Sequence, residues 1–306
     1  MIDYHEPVLL RESVEALITE PNGTYVDLTF GGGGHSRAIL DRLGPKGKLI
    51  SFDQDADAAA RALNDPRFQL VQHNFRHTRS FLEYLKAVPV DGILADLGIS
   101  SHQIDVDHRG FAHRFDGPLD MRMDQDADFS AADLVNQYSE AELARVFKQY
   151  GEMSNAKRLA SEIARYRKAK NIESISDFKT AIEACTPKLH PAKFYSPLFQ
   201  ALRIEVNREM EALEQVLIDS EHLIREGGKF VVISYHSLED RLVKNYFNTG
   251  NLDGKRHTNL YGWSDEPFDN ERSKPIVPSE EEIARNSRAR SAKMRIGIRK
   301  AWKKTN

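Results

Sequence analysis

Three acids and one run of glycines are the residues in this chain best suited to chemistry. Asp27-Leu28-Thr29-Phe30 leads into Gly31-Gly32-Gly33-Gly34-His35-Ser36. Four consecutive glycines cost backbone entropy, and they permit close approach of a ligand and positive φ. Asp53 stands 19 residues beyond Gly34. A carboxylate in that place can accept hydrogen bonds from both ribose hydroxyls of an adenosine. Asp96 opens Asp96-Leu97-Gly98-Ile99-Ser100-Ser101 and is expected to face the same crevice, as a hydrogen-bond acceptor beside the reacting group. His236 follows a later apolar run and is a second candidate for handling a proton; a structural histidine is the competing reading.

Two cofactor classes share an acid, a glycine loop and a ribose acid. A dinucleotide fingerprint needs G-x-G-x-x-G/A. Counted from Gly31 the third small position is Ser36, and from Gly32 it is Arg37, so the fit is imperfect. The Gly-Lys-Ser/Thr of a phosphate loop is absent. An S-adenosylmethionine site needs only what Asp27, Gly31 to Gly34 and Asp53 supply. Amino-group methyltransferases usually carry Asp/Asn-Pro-Pro-Tyr/Phe where Asp96 stands. This chain lacks the Pro-Pro-aromatic part, which leaves the geometry of an amine acceptor open. No metal site is expected. Asp53-Gln-Asp55-Ala-Asp57 and Asp124-Gln-Asp126-Ala-Asp128 lack the Gly and Glu of a calcium loop. The single cysteine, Cys185, excludes an internal disulfide and the zinc deaminase pattern; it reads as a small buried residue at a helix end.

These residues need a scaffold, and the first hundred positions supply an α/β one. Strands are expected at Tyr25–Leu28, Lys48–Asp53, Phe68–His73 and Asp91–Asp96. Helices are expected at Ser36–Leu43, Asp55–Leu63 and Thr78–Leu85. Alternation at this spacing signals βαβ units and a parallel sheet, and it puts each acid at the end of a strand. Residues 105 to 128 hold seven Asp and three Arg with little period, which predicts a long polar loop. Helical signals then run from 130 to about 226. Ser139-x-x-Glu142 and Ser174-x-x-Asp177 are capping boxes. Ser154 opens another helix, and Ser196-Pro197 reads as an N-cap with proline at N1. The helix after it is expected to break near Asp219-Ser220 and to stop at Gly227-Gly228. Strands return at Lys229–Ser234 and Lys293–Arg299, with polar loop from 248 to 282. The architecture is an α/β sheet interrupted by a helical insertion.

With 306 residues, the prior is about two domains. Apolar residues at 40% and charged residues at 29% describe an ordinary globular chain. The net charge of -3 excludes a uniformly basic nucleic-acid coat but not a basic patch. The candidate is the tail from Arg285, which holds nine Lys or Arg, Trp302 and no acid; a solvated terminus is the competing reading. The opening residues lack a basic and an apolar region, so no signal peptide is expected. No stretch approaches the ~18 apolar residues of a membrane span. A reducing, cytoplasmic compartment is the expectation.

Several blocks resemble one family in order along the whole chain. They include His5-x-Pro7-Val8-Leu9-Leu10, Thr29 to Ser36, Asp96 to Ser101 with Gln103, Arg109-Gly110-Phe111 and Asp116-Gly117-Pro118-Leu119-Asp120-Met121-Arg122-Met123-Asp124. Phe199 to Asn207, Ser234-Tyr235-His236-Ser237-Leu238-Glu239-Asp240-Arg241 and Ser287 to Ser291 follow. The chain is similar in these blocks to the bacterial 16S ribosomal RNA (cytosine-N4)-methyltransferases, the RsmH/MraW family. The resemblance implies a class I (Rossmann-like) S-adenosylmethionine-dependent methyltransferase fold with an inserted all-helical domain. On that basis the methyltransferase domain is expected at 1–104 and 206–306, and the helical substrate-recognition domain at 105–205. The implied donor is S-adenosylmethionine. The implied acceptor is a cytidine in the decoding region of 16S rRNA, in the small ribosomal subunit. Gly33, Gly34 and His35 would contact the methionine end and Asp53 the ribose. Phe75 would pack near adenine, with Asp96 and Gln103 completing the pocket. Arg109, Arg114 and Arg122 are expected at flanking phosphates and Phe111 on the target base. Arg288 and Arg290 carry the basic tail's share. Two departures stand out: Gly32, and Phe194-Tyr195-Ser196-Pro197 where relatives more often carry a basic, threonine-containing stretch.

Rival readings differ by class. A nicotinamide-dependent oxidoreductase would use the same loop. A catalytically silent RNA-binding assembly factor would keep a donor-shaped pocket. Methylation of DNA or protein would change only the acceptor, and DNA is not expected.

Overall fold

The structure is a computed structural model that describes residues 7–257 and 266–301. The motif residue His5 and the tail residue Trp302 lie outside them. Two compact units are present, Met1–Gly98 with Met210–Asn306, and Ile99–Glu209.

The first unit begins with α1 (Leu10–Leu17), β1 (Thr24–Asp27), α2 (Gly34–Arg42), β2 (Lys48–Asp53), α3 (Ala56–Ala59), β3 (Phe68–Gln72), α4 (Thr78–Tyr84) and β4 (Val90–Asp96). The second unit contains α5 (Ser101–Asp105), α6 (Ala131–Gln137), α7 (Glu140–Gln149), α8 (Ala156–Tyr166), α9 (Ile175–Ala181) and α10 (Pro191–Asn207). The chain then returns through α11 (Glu209–Leu223), β5 (Ile224–Ser234), α12 (Ser237–Thr249), β6 (Phe268–Asn270), α13 (Glu280–Arg285) and β7 (Lys293–Arg299).

The seven strands form one sheet in the order β3-β2-β1-β4-β5-β7-β6. The first five are parallel, and β7 runs antiparallel to both β5 and β6. Apolar runs such as Tyr25-Val26, Ile93-Leu94-Ala95 and Phe230 to Ile233 are buried, as strands covered on both faces must be. This is the class I methyltransferase arrangement, and the reversed strand between β5 and β6 separates it from the all-parallel dinucleotide order. Among the described residues no helix is long and apolar enough to cross a membrane.

The helical unit has its own core. Leu143, Val146 and Phe147 of α7 pack with Leu159 and Ile163 of α8, Phe178 of α9 and Leu198, Phe199 and Leu202 of α10. Ser139 and Ser174 cap α7 and α9 in reciprocal boxes with Glu142 and Asp177.

Several expectations are corrected. The alanine-rich helix is one turn, Ala56–Ala59, capped by Asp55; only Ala58 of that turn is buried, and a short helix without a packed face does not propagate. The long helix begins at Pro191, so Pro197 sits inside it and Ser196 Oγ donates back to Ala192 O. Leu198, Phe199 and Leu202, all buried, hold the turn that proline weakens. The break falls at Arg208, in the left-handed region at φ 50°, and Asp219 and Ser220 are buried within α11. Gly227 and Gly228 belong to β5 rather than to a helix stop. Cys185 ends a 3-10 turn and is half-buried. The segment 105–128 is the long loop expected, apart from one 3-10 turn at Asp107–Arg109, but it is not polar throughout: Phe111, Leu119, Met121 and Met123 are buried in the helical core. Much of the basic tail is strand β7, whose Arg295 and Arg299 are buried. Arg295 pairs with Asp240 at 2.7 Å, and Arg299 donates to the carbonyls of Glu221, Pro267 and Lys300.

Candidate active site

Parallel strands bring their carboxyl ends to one edge. Asp27, Asp53 and Asp96 therefore stand together at the ends of β1, β2 and β4, with Tyr235 just beyond β5. Ligands in open α/β sheets bind outside that edge. The glycine loop covers it. Gly33 is the N-cap of α2 with φ 77°, and a Cβ there would lie 2.9 Å from the Phe30 ring. A Cβ on Gly34 would meet Pro7 Cγ at 2.3 Å. The first intrahelical bond runs from Arg37 N–H to Gly33 O, so the N–H groups of Gly34, His35 and Ser36 precede it and are aimed at an acceptor.

Asp53 Oδ2 accepts from Gly31 N–H at 2.7 Å and Oδ1 from Asp55 N–H at 2.9 Å. Each oxygen keeps a second lone pair, enough for a ribose hydroxyl apiece. Burial pushes this carboxyl up to about 6, against the pull of those two N–H bonds. Asn74 Nδ2 donates to Gln54 Oε1 at 2.8 Å. That bond ties the 3-10 turn of Phe75–His77 to the residue after Asp53 and sets the half-buried Phe75 beside it.

Asp27 is fully buried and accepts from Ser36 Oγ at 2.6 Å and Thr29 N–H at 3.1 Å. Burial holds it above the usual carboxylate range. Thr29 Oγ1 in turn accepts the Asp96 N–H at 2.7 Å. Asp96 Oδ1 accepts from the Tyr235 hydroxyl at 2.7 Å, and Oδ2 lies 3.6 Å from His35 Nδ1. Burial raises Asp96 to about 7, with the Tyr235 bond acting in the opposite sense. The carboxyl still keeps 21% of its side-chain surface. The His35 ring is buried, with Nε2 3.2 Å from Val8 O. A carbonyl can only accept, so Nε2 carries the proton. Burial lowers the ring's pKa and keeps it neutral.

His236 is the N-cap of α12. Its Nδ1 accepts the Glu239 N–H at 3.4 Å, and Nε2 lies 3.1 Å from Glu239 Oε1 without hydrogen-bond geometry. Glu239 Oε2 closes the box by accepting the N–H groups of Tyr235 and His236 at 2.9 and 3.3 Å. Asparagine caps equally well, so His236→Asn should keep the activity of this edge within about threefold. A hundredfold loss with the fold intact would make the imidazole a proton carrier instead.

The residues expected at RNA fare differently. Arg109 is buried and donates to the carbonyls of Arg122 and Met123 at 3.0 and 3.2 Å; it braces its own segment rather than a phosphate. Phe111 is committed to the helical core and has no open face for a base. Arg122 forks onto Asp120 at 2.8 and 2.7 Å. Arg114 stays exposed, paired with Asp105 at 2.7 Å. Gln103 lies in the helical unit, where Oε1 accepts Ser100 N–H and completes the cap of α5. Arg288 and Arg290 occupy the 3-10 turn Ser287–Ser291, just before β7. Lys293 pairs with Ser234, so this turn lies at the edge that carries Asp96, with Arg290 exposed. Tyr235, Thr29 and Glu239 were not singled out from sequence. A tyrosine one residue past a strand that ends at the acidic edge was the available signal.

A family model described as the MraW methylase family matches residues 3–300. The chain belongs to this family. Among curated relatives, ribosomal RNA small subunit methyltransferase H of Bacteroides fragilis is 52% identical, covering 97% of this chain and 98% of that protein. The protein of the same name from Parabacteroides distasonis is 53% identical over 96% of each chain. That of Flavobacterium johnsoniae is 50% identical over 96% of this chain and 97% of that protein. Membership in a methylase family identifies the MraW chain as a methyltransferase and sets aside the nicotinamide oxidoreductase.

Proposed function

We propose that this MraW-family enzyme transfers a methyl group from S-adenosylmethionine to the exocyclic N4 of a cytidine in the decoding region of 16S rRNA. The observation that carries the reading is the end-to-end similarity to relatives named as ribosomal RNA small subunit methyltransferases. An RNA acceptor of that kind places the work in the cytoplasm, on the small ribosomal subunit.

The residues at the strand ends suit the donor. Asp53 has lone pairs for the ribose hydroxyls, the N–H groups after Gly33 suit a carboxylate, and Phe75 offers a ring for adenine. S-adenosylmethionine, when bound, supplies an electrophilic methyl on a sulfonium. The chain's task is then mainly alignment, which supplies on the order of 7 kcal/mol or more in favourable systems. The N4 amine is a poor nucleophile because its lone pair is delocalised into the ring. Asp96, accepting a hydrogen bond from N4–H, favours the pyramidal nitrogen that can attack. Methylation leaves a strongly acidic cationic nitrogen, and its proton passes to Asp96 or water. The base must be unpaired or flipped to reach the edge. Arg114 and Arg290 are the exposed cations of the expected set that suit phosphate, and Arg288 is half-buried.

The test is transfer of labelled methyl from S-adenosylmethionine to small ribosomal subunits lacking the modification, followed by digestion to nucleosides. Label in N4-methylcytidine at one site is the expected result. Donor binding without label in any nucleoside would overturn the reading in favour of a silent RNA-binding factor.

A further inference from the structure

Asp96 has one firm side-chain partner. His35 cannot supply a second, because its proton is committed to Val8 O and its bare Nδ1 faces Asp96 Oδ2 at 3.6 Å, beyond hydrogen-bond reach. What remains is the Tyr235 hydroxyl, 2.7 Å from Oδ1. Tyr235 is itself held from three sides. It follows the last residue of β5, its N–H donates to Glu239 Oε2 at 2.9 Å, and its ring packs against the sheet core. Cδ2 lies 3.7 Å from where a Cβ on Gly98 would stand. A donor this well anchored fixes the plane of the carboxyl it touches.

We infer that Tyr235 is a positioning residue for methyl transfer: its hydroxyl locks Asp96 Oδ1 and leaves the carboxyl's other lone pairs oriented for the amine. The inference rests on the proposed role of Asp96 and adds to it the residue that sets its orientation and ionisation. Burial and the neighbouring carboxylates keep the phenol well above its ordinary range, so Tyr235 stays a donor wherever the enzyme works. A donor to the carboxylate favours its charged form. The other charged or titratable groups around the pair are His35 on α2, Asp27 on β1, Glu239 on α12 and, toward Tyr235, Glu282 on α13. The phenol is the one among them that hydrogen-bonds the carboxyl.

Removing the hydroxyl should therefore make Asp96 harder to ionise. In Tyr235→Phe, kcat is expected to fall about tenfold to a hundredfold, the usual range for losing a hydrogen bond to a charged group. The acid limb of its pH profile should move up by about one pH unit, with partial recovery at high pH. On an Asp96→Asn background the same change should cost little more, because no ionisable group is left there for the hydroxyl to tune. A second readout needs no turnover: the Asp96 carboxyl, followed by carbon-13 NMR in aspartate-labelled whole protein and assigned with Asp96→Asn, should titrate higher in Tyr235→Phe. If that variant does not fold, 3,5-difluorotyrosine at 235, a stronger donor, should shift the same carboxyl down. An unmoved acid limb and an unmoved carboxyl titration overturn the inference. Wild-type protein that methylates no RNA would overturn the proposed function alone, since the carboxyl titration still decides the Asp96–Tyr235 pairing.

Discussion

Asp96→Asn is expected to abolish most methyl transfer and, above neutral pH, to stabilise the fold. The two effects share one cause. A carboxyl raised from 3.8 to about 7 by burial is held in a place that disfavours its charge. Where the folded pKa is the higher one, the folded state binds the proton more tightly. The associated stability is complete below the unfolded pKa near 3.8 and is lost as pH rises through about 7. Asparagine cannot ionise and escapes that loss, and its Oδ1 can still accept from Tyr235. Urea unfolding should therefore show the variant gaining on wild type between pH 5 and 8. The gain should be a few kcal/mol at most, because each pH unit separating the folded and unfolded pKa is worth about 1.4 kcal/mol. Asp27 and Asp53 are raised in the same direction, so the comparison must be variant against wild type at each pH. Transfer should drop about 10²- to 10⁴-fold, the range for a positioned acid or base. Wild-type kcat should rise with pH through about 7 as Asp96 ionises. Unchanged transfer in the variant would remove Asp96 from the chemistry. A pH-independent stability change would remove the charge as the source of its cost.

The acidic edge was legible because its signals are local. A short apolar run ending in Asp, three times over, marks parallel strand ends, and a glycine run between strand and helix marks the turn that covers them. Capping boxes at Ser139 and Ser174 were equally readable, since two residues three positions apart specify the cap. What sequence could not disclose is partnership across the chain. The polar count of 105–128 concealed Phe111, Leu119, Met121 and Met123, all four buried, although the last three alternate with Asp120, Arg122 and Asp124 in the period of a strand. Arg109 reads as a phosphate cation until the carbonyls of Arg122 and Met123 are seen around it. Nothing in an arginine announces a positive φ, so the break at Arg208 was invisible. The three residues of β6 are a strand only because β7 is beside them. Tyr235 became visible only when the fifth strand delivered its hydroxyl to a residue 139 positions away.

Asp53, proposed to hold the donor ribose, gives the second large effect. Asp53→Asn should weaken S-adenosylmethionine binding about 100-fold, the order expected for losing two hydrogen bonds to a charged acceptor. Part of that loss could arise from the loop, because both oxygens already accept backbone N–H groups, from Gly31 and Asp55. An amide must turn its NH₂ toward one of them, donor against donor. A ligand cycle separates the causes. A donor analogue lacking the ribose 2′-hydroxyl should lose affinity against wild type and lose almost nothing further against Asp53→Asn. If loop distortion were the whole effect, the two losses would add. Wild type offers a check without any substitution. Burial raises Asp53 to about 6, and only the ionised carboxylate accepts at both oxygens. Affinity should be full above pH 7 and fall as pH drops through 6, reaching roughly a tenfold loss at pH 5. Asp53→Asn should lack that Asp53-linked fall across the same range. A wild-type dissociation constant that does not move between pH 7.5 and 5 would mean that Asp53 holds its own loop and not the donor.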